Sequence, residues 1–148
     1  MADRNVPYGS FNFLVEFNGQ DISGGFSDVS GLGTEVTMAE YRNGNDKENH
    51  VRKIPGLHKT GDVTLKRGLI KSQDFWDWIK EVRNKGVVAQ RSVTVTLLDE
   101  AREAAARWVL RGVVPMKWTG PTMAAKGGSE VAMEELVLSA ESIEYDAP

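Results

Sequence analysis

The strongest constraint in this chain is how often apolar residues recur at every second position, and how rarely they do so at every third or fourth. Phe11, Phe13, Val15 and Phe17 share one face of an extended segment, with Asn12 and Glu16 on the other. A period of two is the mark of a half-buried strand. Arg91–Leu98 repeats the pattern with Val93, Val95 and Leu97, and Arg107–Val114 reads the same way. Weaker strand patterns cover 22–33, Thr34–Arg42, Asp62–Lys66 and Val131–Glu144. Asn18-Gly19 suits the positive φ angles of a tight hairpin turn. A single stretch has helical spacing, Gln73 to about Asn84. Ser72 can cap it, Asp74 and Asp77 sit in its first turns, and Arg83 and Lys85 near its end complement the helix dipole. Gly86 suits the residue just past it. Phe75, Ile79 and Val82 form its apolar face, widened by Trp76 and Trp78.

Many short strands around one helix predict a mainly β fold: a small antiparallel β barrel or sandwich of two packed sheets, with one flanking α-helix at about 73–84. The 148 residues fit a single domain, 1–148. From Asn43 to Gly61 the pattern is lost. Asn43-Gly44-Asn45-Asp46 and Pro55-Gly56 predict a long loop at about 43–61, with a short extended piece near Val51–Ile54. Structureless loops of that length are uncommon in compact domains and usually functional. Glu100–Arg107 has high helix propensity but lies between two strand patterns, so it reads as a hairpin connection with room for one helical turn. Pro115–Thr119 reads as an edge or bend strand, because proline cannot donate to a ladder, and Gly120–Gly128 as loop.

Composition removes whole classes of function. The chain has no cysteine, which rules out disulfides, thiolate metal sites and a cysteine nucleophile. The N-terminus has no apolar core of a signal peptide, so synthesis without a secretory signal is expected. No apolar run approaches the ~20 residues that span a bilayer, so no membrane insertion by this chain is expected. A net charge of −3 argues against a dedicated nucleic-acid binder. His50 and His58, the two histidines, sit in the polar loop without metal-ligand spacing. Gly31-Leu32-Gly33 lacks the third glycine and the following helix of a dinucleotide loop, and no nucleophile elbow or Walker A sequence occurs. Asp99-Glu100 and Glu134-Glu135 are adjacent carboxylates, which on a strand point to opposite faces. No catalytic residue, metal ligand or cofactor is predicted.

Charge is unevenly spread. Arg42–Lys71 holds eight basic residues against three acidic, whereas Ser129–Pro148 holds six acidic and no basic ones. Complementary patches on one chain can steer a copy onto itself. Arg42, Lys47, Arg52, Lys53, His58 and Lys59 are the candidate contacts on one side, and Glu130, Glu134 and Glu144 on the other.

Several segments come in a recognisable order: Pro7–Val15, Phe26–Leu32, Tyr41–Gly44, Lys53–Gly56, Leu65–Gly68, Phe75–Trp78, Arg107-Trp108 and Pro115–Pro121. Together they resemble the contractile phage tail-tube family, including the tubes of extracellular phage-tail-like injection particles. The resemblance implies a structural subunit and not an enzyme. Such subunits form hexameric rings that stack into a hollow tube inside a sheath, with baseplate or initiator and terminator proteins at the ends. The lumen conducts cargo, DNA or effector protein, through a target envelope. It further implies synthesis in the bacterial cytoplasm and a final place in a phage tail or tail-like particle. The 43–61 segment looks like the part that reaches an adjacent ring. The alternatives are a type VI secretion-like tube ring and a monomeric β-barrel binding module.

Overall fold

The computed structural model describes residues 6–18, 20–21, 25–69, 74–127 and 131–147. Its strands are β1 (Phe13–Phe17), β2 (Gln20–Asp21), β3 (Asp28–Ser30), β4 (Thr34–Tyr41), β5 (Arg52–Thr60), β6 (Val63–Gly68), β7 (Arg91–Leu98), β8 (Ala104–Thr119), β9 (Met133–Ser139) and β10 (Ser142–Asp146). The helix α1 spans Asp74–Lys85 and a 3-10 turn, Gly86–Ala89, follows it. Strands pair in the order β2-β1-β7-β8-β9-β6-β3, with β10 also on β8.

The 16 residues of β8 serve two layers. Its first half pairs with β7 and β10, and its last residues pair with β9. The bend falls at Gly112, with φ of 64°, and at a bulge between Pro115 and Lys117. Pro115 lies beyond the last residue paired with β7, where a missing N–H is tolerated. Among the described residues β1 and β3 do not pair, so the layers form an open sandwich and no closed barrel.

Alternation then fills the space between the layers. Val15, Phe17, Val93, Val95, Leu110 and Val113 from one side meet Val63, Leu65, Leu136 and Leu138 from the other. Helix α1 adds Phe75 and Trp78. Trp78 is fully buried, lies edge-on to Phe17 at 5.2 Å, and its Nε1 donates to the Ala89 carbonyl at 3.0 Å. Burying an indole with its N–H satisfied combines a large apolar gain with no polar penalty. Gly86 ends the helix at φ of 62°, as expected, whereas the expected cap Ser72 lies outside the described residues.

Four expectations change. Phe11 is 76% exposed and the first strand starts at Phe13. The final strand is two strands, because the chain breaks at Ala140-Glu141 to let β9 and β10 take different parts of β8. The connection after β7 contains no helical turn. Asp99 Oδ1 accepts from the N–H groups of Ala101 and Glu103, both at 2.9 Å, and Ala104 already pairs with Leu98. Strand register overrides alanine's helix propensity there. Finally, half of the expected 43–61 loop is a strand, β5.

Candidate assembly surface

Among the described residues β4 and β5 pair only with each other. Their ladder nevertheless continues another one. Ser30 faces Thr64 in the β3–β6 pair, and Thr34 faces Thr60, four residues further along each strand, so the register is carried unchanged across the joint. The β4–β5 ribbon is therefore an arm prolonging β3–β6 beyond the sheet, roughly 25 Å long at ~3.3 Å per residue. Gly31 makes the joint. Its φ is 88°, and a Cβ there would stand 2.1 Å from the Asp62 carbonyl oxygen, so only glycine fits. The glycine pair that failed as a nucleotide loop is the root of the arm.

Residues 42–51 form an ordered tip. The Arg42 guanidinium donates to the carbonyl oxygens of Asp46 (3.1 Å) and Glu48 (3.1 and 3.2 Å), and the Asn43 N–H donates to Asp46 Oδ2 at 3.0 Å. Arg42 thus holds its own turn together. His50 Nδ1 lies 3.0 Å from a Glu48 carboxylate oxygen, with both side chains exposed. Lys47, Arg52, Lys53, His58 and Lys59 are all exposed on the arm. Register places Lys53 opposite Glu40 and Lys59 opposite Glu35. The two lysines therefore face carboxylates on their own ribbon, and the positive surface is weaker than the linear sequence suggests.

What the arm exposes instead is apolar. Met38 (52% exposed) lies on the face of Val36, and Tyr41 (51%) and Ile54 (50%) share the opposite face, while Leu57 is 83% exposed. An isolated two-stranded ribbon is at best marginally stable in water, and apolar side chains on both of its faces favour contact with another surface. Charge counting along the sequence missed these residues. The signal was there in Met38, Tyr41, Ile54 and Leu57, but it has no single face to reveal it.

On the acidic side the structure separates the three candidates. Glu134 is 4% exposed and forms an ion pair with Arg67, which is 1% exposed and directly opposite on β6. Trp118 Nε1 donates to its other oxygen at 3.2 Å, and the Arg67 guanidinium lies 3.9 Å from the centre of the Phe75 ring. Glu134 is thus a core residue and not a surface contact. Its place in Met133–Leu138, in phase with Leu136 and Leu138, already assigned it to the inner face. Glu144 is exposed and lies 3.4 Å from Arg111 Nη2 across the β10–β8 pair. Glu130 lies outside the described residues. Among the described residues no three acidic or histidine side chains group to hold a metal ion, and no helix is long and apolar enough to cross a membrane.

An open sandwich that extends an uncovered, partly apolar arm from its edge has the form of an assembly module. The chain belongs to the T4-like virus tail tube protein gp19 family, whose model matches residues 9–144. It is a tail tube protein, a structural component of a phage tail or tail-like particle. Its fold is similar to a chain in the extended-state sheath–tube complex of the extracellular contractile injection system PVC. The TM-score is 0.85 at 25% identity, covering 97% of this chain and 94% of that one. A chain of the PVC sheath/tube terminator gives 0.85 at 26% identity, covering 97% and 99%. The tube-terminating cap of the anti-feeding prophage gives 0.86 at 22% identity, covering 100% and 96%, and shares the fold. No curated protein matches the chain in sequence.

Proposed function

We propose that this chain is a single-domain, repeating subunit of the inner tube of a contractile injection particle. Six copies close a ring, rings stack head to tail, a sheath surrounds the tube, and baseplate and terminator proteins bound its ends. The lumen conducts cargo and the subunit performs no covalent chemistry. It is made in the cytoplasm and does not insert into a membrane. The arm carries this reading: a β ribbon whose two faces both hold exposed apolar side chains gains stability only when other copies cover it. A closed ring satisfies lateral contacts finitely, whereas head-to-tail stacking stays open and makes a filament. Negative-stain electron microscopy with light scattering on the purified protein tests it. Six-fold rings or hollow tubes are expected, and a monodisperse monomer at every concentration would overturn the proposal in favour of a binding module.

A further inference from the structure

Asparagine is followed by glycine at two places, Asn18 and Asn43. The pair is open to a spontaneous reaction in which the glycine's main-chain nitrogen attacks the side-chain amide carbon, because no Cβ stands in the way. The fold treats the two sites differently. Asn18 is bolted to β7: its N–H donates to the Ser92 carbonyl at 2.8 Å, and its Oδ1 accepts from the Ser92 N–H at 2.9 Å. Its side-chain amide stands in for a main-chain group of the ladder. Asn43 sits instead at the arm tip, in a turn closed by the Asp46 N–H on the Asn43 carbonyl at 3.1 Å. Asn43's own N–H is taken by Asp46 Oδ2 at 3.0 Å. No described residue accepts from the Gly44 N–H, and a Cβ built at Gly44 would find nothing within 4 Å. The attacking nitrogen is therefore unpaired and unobstructed. The Tyr41 hydroxyl donates to Asn43 Oδ1, the oxygen on which negative charge gathers as the amide carbon is attacked.

The geometry points to Asn43 as a site of self-modification, a succinimide-forming deamidation at the tip of the arm. The Gly44 nitrogen gives up its proton and bonds to Asn43 Cγ, the Cγ–Nδ2 bond breaks, and ammonia leaves with that proton. Water then adds to either carbonyl carbon of the ring and opens it. One opening restores the main chain and leaves a side-chain carboxylate at position 43, an aspartate. The other routes the main chain through the former side chain, an isoaspartate. No oxidant, reductant or second protein is required, and the rate rises with pH because the attacking nitrogen must lose its proton. Both products set a negative charge beside Asp46. Isoaspartate also lengthens the main chain inside a turn that Arg42 pins through the carbonyls of Asp46 and Glu48. The change is confined to the tip, which contributes nothing to the core. It needs only the chain and water, so it stands apart from the tube reading.

Mass mapping of the full chain tests it, with samples kept in neutral and in mildly alkaline buffer over days and isoaspartate counted by enzymatic methylation. Asn43 is expected to convert before Asn18, faster at the higher pH, with both products present. Gly44→Val should block the reaction. The φ of Gly44 is not left-handed, so valine fits the turn while its branches shield the nitrogen. Tyr41→Phe should slow conversion severalfold with hydrogen exchange of the Asp46 N–H unchanged, which separates help at Asn43 Oδ1 from a loosened turn. Conversion at Asn18 as fast as at Asn43 would overturn the inference, because the dipeptide alone would then set the rate. So would an undiminished rate in Gly44→Val or in Tyr41→Phe. None of these outcomes bears on whether rings or tubes form.

Discussion

The β6–β9 pair and the β4–β5 pair are built from the same antiparallel ladder, and β5 runs into β6 through only Gly61 and Asp62. On β6 every second residue is buried, with Val63 and Leu65 at 0% exposure. On β5 every residue but the last is exposed. β6 and β9 each pair with a strand on both sides, whereas β4 and β5 have one partner each among the described residues, and solvent reaches both faces of the arm. The layer acquires its stability from within one chain, whereas the arm's apolar side chains gain theirs only on contact with another surface. Substitutions should therefore divide cleanly, with layer variants failing as folds and arm variants failing as assemblies.

The largest effect on folding is expected from Trp78→Ala, which removes a fully buried indole and its bond to Ala89. A loss of ~3–5 kcal/mol corresponds to a fall in Tm of about 10 °C for a chain of this size, readable by calorimetry. Glu134→Ala should follow closely, at ~3–5 kcal/mol, because it leaves the Arg67 charge buried without its carboxylate. The paired replacement Arg67→Met with Glu134→Leu should recover most of that loss, since a buried ion pair gains little over well-packed apolar residues. A double variant as unstable as the single one would show that the pair does more than neutralise itself.

Gly31→Ala tests the boundary between the two regions. The backbone there requires positive φ and the Cβ would meet the Asp62 carbonyl, so a loss of more than ~1 kcal/mol is expected together with impaired assembly. Assembly lost at unchanged Tm would show that the joint orients the arm without supporting the layer. Smallest in stability is Leu57→Asp, expected within ~0.5 kcal/mol of the parent by denaturant titration, yet with tubes absent by electron microscopy. A large stability loss would mean the arm packs on its own body and would break the contrast altogether. Lys53→Glu reads differently from a simple surface reversal. It sets two carboxylates opposite each other at Glu40, so weakened stacking in this variant would report a loosened ribbon as much as a lost contact.

The strands of the layers, the helix and its end at Gly86 were legible in the sequence because one face of each is buried. A buried face writes a period into the chain: two in Val93-Thr94-Val95, and a 3.6-like stripe in Phe75, Ile79 and Val82. The family resemblance was legible as well, although its segments include Tyr41–Gly44 and Lys53–Gly56 on the exposed arm beside those of the core. β5 was not legible. Both of its faces meet solvent, Pro55-Gly56 interrupts it, and a register shift between Val36 and Met38 breaks phase with β4. Nor did linear charge counting show that Lys53 and Lys59 face glutamates, or that Arg67 and Glu134 neutralise each other inside the core. The sequence by itself determined which residues avoid water and therefore the class of fold. Only the tertiary structure decided which charges oppose one another and which apolar side chains remain uncovered, because those depend on pairings between strands up to dozens of residues apart.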